Sequence, residues 1–211
     1  MRVCLTFFIF LLSLNPLSAS EPQPAPARAL DRLMAGNQRY MRNMLRHPNQ
    51  SAESRQAVVK VQKPFAIVLG CSDSRVAPEI VFDQGIGDLF VVRVAGNVAG
   101  PLEVDSIEYA VSELGARLLL VLGHEGCGAV SAVVKGQTED IADVADLIRP
   151  AVEMARKAPG DLLNNAIVAN VRLVVARLKN VPIIANLIQE GKLEVIGACY
   201  HLKTGEVELL R

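Results

Sequence analysis

The sequence lacks several features that define other classes of protein. Its 22 lysines and arginines balance 22 aspartates and glutamates, so the formal net charge is zero, and no dense basic run occurs. Nucleic acid and anionic membranes are therefore not indicated as partners. There is no Cys-x-x-Cys motif, which makes a thiol redox protein the least favoured class. A length of 211 residues with 51% hydrophobic side chains indicates one globular domain with a sizeable core.

The N-terminal residues 1–20 are predicted to be a secretory signal peptide. The stretch Val3–Leu12 is almost wholly apolar, it follows Arg2, and small residues stand at 17–20 where a peptidase would cut. The apolar stretch is too short for a comfortable transmembrane helix, although an uncleaved membrane anchor is the alternative. We therefore expect a periplasmic or secreted protein that makes no membrane contact once the signal is removed.

The mature chain is predicted to be one α/β domain. A proline-rich linker over 21–26 precedes a helical arm over 27–63, which includes a helix over Ser51–Val61 with a serine N-cap. Such an arm, outside the sheet, often packs on a partner subunit. The core over 64–211 has strands alternating with helices, which indicates a mostly parallel β-sheet flanked by helices, with a C-terminal antiparallel hairpin. The predicted strands are Phe65–Gly70, Asp88–Ala95, Arg117–Gly123, Leu193–Leu202 and Val207–Leu210, and the predicted core helices are Leu102–Leu114, Cys127–Val134, Ile141–Lys157, Leu162–Leu178 and Val181–Gln189.

Two short polar motifs follow two of these buried strands. Cys71 comes directly after the first strand, and His124 and Cys127 come directly after the third. Ligands of open α/β sheets bind outside the carboxyl ends of the strands, so these side chains are predicted to converge. Two thiolates and one imidazole with a fourth position left over suit Zn²⁺, in the catalytic rather than the closed structural pattern. We predict one zinc ion per chain.

The cysteines allow an alternative. Cys4 lies in the predicted signal peptide, which leaves Cys71, Cys127 and Cys199 in the mature chain. Export would place them in an oxidising compartment, where Cys71 and Cys127 form a disulfide in the alternative interpretation. An odd number of cysteines and a bound metal that shields both thiolates argue against it. Cys199 lies in an apolar run and is interpreted as a small core residue.

Asp73 and Arg75 stand close to the first predicted ligand. Two thiolates weaken the acidification of a zinc-bound water, so a neighbouring group must compensate. Asp73 is placed to accept a hydrogen bond from zinc-bound hydroxide and to orient it, while a bidentate pair with Arg75 keeps the carboxylate ionised. In a second, closed state Asp73 swings onto zinc as the fourth ligand, and this state is expected to fade as pH rises. A purely structural Cys₂His–Asp zinc site is the remaining alternative.

At this point the sequence resembles a known family, the β-class carbonic anhydrases. The segments Cys71–Val76 and His124–Ala129 match the two zinc motifs of that family. Further matches are Gly36–Tyr40, Gly87–Arg93, Ala95–Asn97, Ser106–Val111 and Tyr200–Gly205. The resemblance implies zinc on Cys71, His124 and Cys127, with Asp73 and Arg75 as the orienting dyad. It also implies a homodimer or a dimer of dimers, with active sites near the subunit interface.

The resemblance implies the activity as well. The expected reaction is the reversible hydration of carbon dioxide to bicarbonate and a proton by zinc-bound hydroxide. Gln62, Phe90 and Tyr109 fall on substrate-pocket positions of the family; otherwise Gln62 is an exposed helix-end residue and the two rings are core aromatics. Val68 stands where the bicarbonate-inhibited subtype carries tryptophan, a residue that this chain lacks entirely, so the resemblance does not extend to that inhibitory site.

Two other functions stay open at the level of the sequence. The same scaffold and ligands suit a hydrolase of carbonyl sulfide or carbon disulfide. A non-catalytic zinc- or bicarbonate-binding protein is the other alternative, although such a protein has no use for an orienting dyad. No proton shuttle is identified, and His47 and His201 are interpreted as ordinary surface or edge residues.

Overall fold

The computed structural model describes residues 23–210, so the predicted signal peptide over 1–20 lies outside the described residues. The helices are α1 Pro26–Met41, α2 Ala52–Ala57, α3 Pro78–Val81, α4 Pro101–Ser112, α5 Gly128–Lys135, α6 Ala142–Ala155, α7 Leu162–Lys179 and α8 Pro182–Gln189. The strands are β1 Ala66–Gly70, β2 Leu89–Arg93, β3 Leu118–His124, β4 Glu194–Tyr200 and β5 Val207–Leu210. Two 3₁₀ turns cover Ala95–Asn97 and Glu139–Ile141. None of the helices in residues 23–210 has the length and apolar character needed to cross a membrane.

The five strands form one sheet in the order β2-β1-β3-β4-β5. Neighbours in the first four strands are parallel, and β5 runs antiparallel to β4. Every residue of β1 and β3 is buried, which is why these strands are continuous apolar runs rather than alternating ones. The predicted α/β fold with a mostly parallel sheet is confirmed.

Alternate side chains of the central strands enter two different apolar layers. Ile67 and Leu119 face one layer, which is built mainly from α4, α7 and α8. Val68 and Leu120 face the opposite layer, which is built from α1 and the segment around α3. A third cluster, between α5, α6 and α7, contains Cys71 and Cys127 and so lies at the carboxyl end of the sheet.

The N-terminal arm packs on the chain's own core. Leu33 of α1 is fully buried in the second layer, together with Phe82. Asn37 is also buried, donates from Nδ2 to the carbonyl oxygens of Val81 and Gly205, and accepts from the Val207 amide at 3.0 Å. The arm is therefore part of the same folding unit as the sheet.

Two local predictions needed revision. Ser51 does cap α2, because its Oγ accepts from the Ser54 amide at 3.2 Å, but the helix ends at Ala57 rather than Val61. The short helix α3 was not predicted, since its four residues are too few to show a periodic pattern. Neither difference moves the strands.

Helix α7 approaches the sheet closely at Gly123. A Cβ atom on Gly123 would lie 2.5 Å from Cγ2 of Val171, closer than any real contact, so only glycine permits this approach. Gly123 precedes His124 at the end of β3, and the contact therefore sets α7 directly beside the carboxyl end of the sheet.

Candidate metal centre

The three predicted metal ligands converge at the carboxyl end of the sheet. Cys71 is the first residue after β1, His124 is the last residue of β3, and Cys127 is the N-cap of α5. One ligand atom from each of the three lies within 4.8 Å of the others. All three residues are buried, with 5%, 0% and 1% of their surface exposed. The convergence of the two motifs follows from the neighbouring positions of β1 and β3 in the parallel sheet.

The His124 ring is oriented for a ligand at Nε2. Nδ1 lies 2.8 Å from the Glu125 carbonyl oxygen, which can only accept, so Nδ1 carries the proton. Nε2 then presents a lone pair, and among residues 23–210 this buried atom has no hydrogen-bond partner. An unsatisfied buried nitrogen beside two sulfurs, in a ring fixed by a carbonyl on its other side, fits a metal ligand.

A hydrogen bond links the two thiols. This bond to the Cys127 thiol is the main cause that holds the pKa of Cys71 well below its usual value. The same hydrogen bond, together with burial, raises the pKa of Cys127. Burial lowers the pKa of His124, but the Cys71 thiolate opposes this and leaves it above its usual value. A cation at this point would remove the competition for protons, because it favours both thiolates and the neutral imidazole.

Asp73 and Arg75 form the predicted pair beside the ligands. Arg75 donates from Nε to Asp73 Oδ1 at 2.9 Å and from Nη2 to Oδ2 at 2.7 Å. The Arg75 amide also donates to Oδ1 at 2.9 Å. These bonds, with the Arg75 side chain as the largest contribution, hold the pKa of Asp73 well below its usual range. Asp73 Oδ2 lies 3.8 Å from His124 Nε2, so the carboxylate faces the ligand cluster.

Arg93, at the end of β2, ties this strand to the Cys71 segment. Its Nε donates to the Cys71 carbonyl oxygen at 3.0 Å, and its Nη2 donates to the Asp73 carbonyl oxygen at 2.7 Å. The Val94 amide adds a bond to the Gly70 carbonyl oxygen at 3.1 Å. The partners of this charged residue are therefore backbone carbonyl oxygens of the segment that begins at Cys71.

Glu125 and His201 form a hydrogen-bonded pair that the sequence did not reveal. Glu125 Oε1 lies 2.8 Å from His201 Nδ1, and the Leu202 amide donates to Oε2 at 3.0 Å. His201 also contacts Glu208 through Nε2 at 3.1 Å. The hydrogen bond to Glu125 is the main cause that raises the pKa of His201. His201 therefore links the end of β4 to the loop that carries His124 and Cys127. The sequence feature that could have revealed this contact is the position of Glu125 between those two candidate ligands.

The predicted substrate residues form a separate group within the chain. The rings of Phe90 and Tyr109 lie 6.3 Å apart, and Gln62 and Tyr109 line the same surface cavity. Phe90 pairs with Ile67, four residues before Cys71, which corresponds to roughly 13 Å along the strand. Within one chain these residues do not line the metal centre, and their role in binding substrate stays a prediction.

The remaining cysteine behaves as expected. Cys199 is buried on β4, and burial is the main cause that raises its pKa to about 11. Cys71, Cys127 and Cys199 are all free thiols, so the alternative disulfide is not formed in the structure.

Comparison with known proteins identifies the family. A family profile described as carbonic anhydrase matches residues 66–207. A carbonic anhydrase of Mycolicibacterium smegmatis is 39% identical over 195 residues, which cover 89% of this chain and 95% of the relative. Carbonic anhydrase 2 of Mycobacterium tuberculosis is 37% identical over 195 residues, with 89% and 94% covered.

Solved structures agree. The β-carbonic anhydrase CcaA superposes with a TM-score of 0.68 at 27% identity, covering 86% of this chain and 95% of its own. The Coccomyxa β-carbonic anhydrase in complex with acetazolamide gives a TM-score of 0.63 at 27% identity, with 87% and 82% covered. This chain belongs to the carbonic anhydrases, a family of lyases, and within that family its fold is that of the β class.

Proposed function

We propose that this protein is a zinc enzyme that hydrates carbon dioxide reversibly to bicarbonate and a proton. One observation carries the proposal: an ionised carboxylate, Asp73, faces a buried Cys–His–Cys cluster while an arginine holds both of its oxygens. Sulfur and imidazole ligands suit Zn²⁺, and three protein ligands leave a fourth position for chemistry. A site that only stabilises the fold gains nothing from such a carboxylate.

When bound, zinc lowers the pKa of a coordinated water towards neutral and so provides the nucleophile. The residues of the chain supply the orientation. Asp73 Oδ2 accepts a hydrogen bond from the attacking O–H group and aims its lone pair at the carbon of the substrate. Arg75 keeps the carboxylate ionised and holds it in the plane set by its two bonds. Arg93 fixes the backbone on both sides of Ser72, so the carboxylate and the first ligand move together.

The closed state is a further part of the proposal. In the structure Asp73 is paired with Arg75. If this pair were broken, Asp73 would be free to serve as a fourth protein ligand to zinc, and the site would then be closed and inactive. Arg75 is half exposed, with 55% of its side chain accessible, so neighbouring side chains do not enclose it and leave it room to move away from Asp73.

A homodimer, alone or as half of a dimer of dimers, completes the proposed pocket. Tyr109 is 49% exposed, and Val59 and Val61 beside Gln62 are 69% and 56% exposed. An apolar patch next to the edge strand β2 is typical of a subunit interface. In this dimer Gln62, Phe90 and Tyr109 lie at the interface and line the pocket over the metal centre of the partner.

The proposed location is the periplasm or the extracellular medium. The apolar stretch after Arg2 and the small residues at 17–20 support removal of a signal peptide. Intact mass of the protein recovered from a periplasmic fraction would place the cleavage site near residue 20. A protein that keeps its N-terminal residues and sediments with membranes would point instead to an anchor.

The deciding experiment is stopped-flow hydration of carbon dioxide by the chain from about Glu21, at pH 7 and pH 9, with zinc content measured in parallel. Activity at both pH values indicates that Asp73 stays with Arg75, and activity only at pH 9 indicates the closed state. A protein with one zinc per chain and no activity at either pH refutes the proposal. Assays with carbonyl sulfide and carbon disulfide would then separate a related hydrolase from a binding protein.

A further inference from the structure

A buried asparagine on α7 is linked to the Cys71 ligand through one turn. Asn170 is 1% exposed and is adjacent in sequence to Val171, the residue through which α7 contacts Gly123. Its Nδ2 donates to the Gly96 carbonyl oxygen at 2.8 Å, across 74 residues of sequence. The Gly96 amide in turn donates to Cys71 Sγ at 3.3 Å.

The turn that carries this amide has little freedom. Gly96 has φ +69° and ψ 17°, a left-handed backbone that favours glycine. A Cβ atom at this position would also lie 2.7 Å from Cδ1 of Ile148. The contact with Ile148 and the hydrogen bond from Asn170 to the Gly96 carbonyl oxygen together restrict the dihedral angles of Gly96, and with them the direction of its N–H bond.

The choice of asparagine at position 170 has an identifiable reason. Among the described residues, Asn170 Oδ1 has no hydrogen-bond partner, although it is buried. A buried unpaired oxygen destabilises a fold, and leucine would fill a similar volume without it. What asparagine provides here is therefore its N–H donor. The acceptor is the carbonyl oxygen of Gly96, in the turn that contacts Cys71.

We propose that Asn170 is a positioning residue for the metal centre, acting through the Gly96 turn on the Cys71 sulfur. The inference rests on the metal centre of the proposed function. By fixing Gly96, Asn170 keeps one N–H bond aimed at the thiolate, which orients Sγ towards the metal and reduces the charge that the sulfur donates. Outer hydrogen bonds of this kind tune both the affinity of a site and the electronic state of its metal.

The test uses Asn170→Leu and Asn170→Asp in the mature chain, with Zn²⁺ alone and Co²⁺ alone as probes. Both variants nearly keep the volume; leucine removes the donor outright, and aspartate removes it when its carboxyl is ionised. We expect zinc affinity, measured by competition with a chelator, to fall about 10- to 100-fold. We also expect the thiolate-to-cobalt charge-transfer band to shift, a signature that a loss of packing alone would not produce.

Asn37→Ala is the matched control. Asn37 is another fully buried asparagine that donates to backbone carbonyls, but its partners are Val81 and Gly205. This variant should lower the melting temperature while zinc affinity and the cobalt band stay as in the wild type. If the two Asn170 variants behave like Asn37→Ala, Asn170 serves packing only and the inference is wrong.

A second route covers the case in which the Asn170 variants do not fold. Gly96→Ala combined with Ile148→Val disturbs the same turn from the opposite side, because valine lacks the Cδ1 atom that alanine at 96 would meet. A shifted cobalt band relative to Ile148→Val alone supports the inference, and an unchanged band overturns it. A wild-type chain that binds neither metal refutes the proposed function together with this inference, whereas normal binding by all variants refutes this inference alone.

Discussion

Arg75 holds Asp73 at both carboxylate oxygens, with bonds of 2.9 Å and 2.7 Å. The pair fixes the plane of the carboxylate as well as its charge, and the oxygen that accepts from Nη2 is the one 3.8 Å from His124 Nε2. The Asp73–Arg75 pair therefore connects an exposed arginine to the buried ligand cluster.

Replacing Arg75 by lysine should slow carbon dioxide hydration about 100-fold with the metal content unchanged. Lysine keeps the positive charge but cannot hold both oxygens, and small misplacements of an orienting group cost about this much in rate. Stopped-flow kcat/KM and metal analysis check it. Arg156→Lys is the control, since that arginine pairs with Glu153 on the exposed face of α6 and should show no effect. A wild-type rate in Arg75→Lys would mean that the two hydrogen bonds from arginine to the Asp73 carboxylate are not required.

Cys71→Ser should lose its bound zinc, whereas Cys199→Ala should keep one zinc per chain. Both thiols are buried, but only Cys71 belongs to the ligand cluster, and a serine hydroxyl is a far weaker zinc ligand than a thiolate. Elemental analysis after gel filtration distinguishes the two. Retention of zinc by Cys71→Ser, or its loss from Cys199→Ala, would contradict the assigned ligand set.

Tyr109→Glu should convert the protein to monomers, lower its hydration activity and weaken its retention of zinc. The substitution adds a carboxylate to the half-exposed aromatic patch next to β2, and an unpaired charge in the core of an interface opposes association. Sedimentation velocity and circular dichroism report the assembly and the fold. Tyr109→Phe keeps the ring and should remain a dimer; a dimer in Tyr109→Glu would place the interface elsewhere.

Asp83→Asn should remove an acid-dependent part of the stability. Burial raises the pKa of Asp83, but the bonds from Arg39 and the Arg46 and His47 amides outweigh it, so the folded pKa is lowered. The carboxylate thus stabilises the fold above the unfolded pKa of about 4, and this contribution is lost as pH falls through the lower folded pKa.

Urea denaturation at pH 7 and at pH 3 measures this effect. Asp83 has φ +47°, a conformation that asparagine adopts readily, so the exchange introduces little backbone strain. We expect Asp83→Asn to lose on the order of 3 kcal/mol at pH 7 and to show a smaller difference from the wild type at pH 3. An equal loss at both pH values would mean that charge is not the cause.

The strands and the clustering of the candidate ligands were predictable from the sequence for physical reasons. The central strands β1 and β3 are buried in a parallel sheet and apolar on both faces, and each of the five strands was predicted to within two residues at each end. The candidate ligands Cys71, His124 and Cys127 lie at or just after the ends of β1 and β3, and these neighbouring parallel strands bring them together.

Other contacts were not accessible in this way. Asn170 lies on the apolar face of a long helix, and nothing in the surrounding residues reveals a bond to a carbonyl 74 residues away. His201 stands at a strand end, where a surface role was the simpler interpretation, and its two carboxylate partners come from separate segments. Long-range pairs of polar side chains have no periodic signature, so a single sequence does not predict them.

Strand β2 is both the edge of the sheet and the support of the ligand loop. Phe90, at the proposed interface, and Arg93, which holds the backbone of Cys71 and Asp73, are three residues apart on the same five-residue strand. Association that immobilises this strand thereby stiffens the ligand loop as well. Zinc retention should then depend on protein concentration, and dilution of the enzyme should release metal as it separates the subunits.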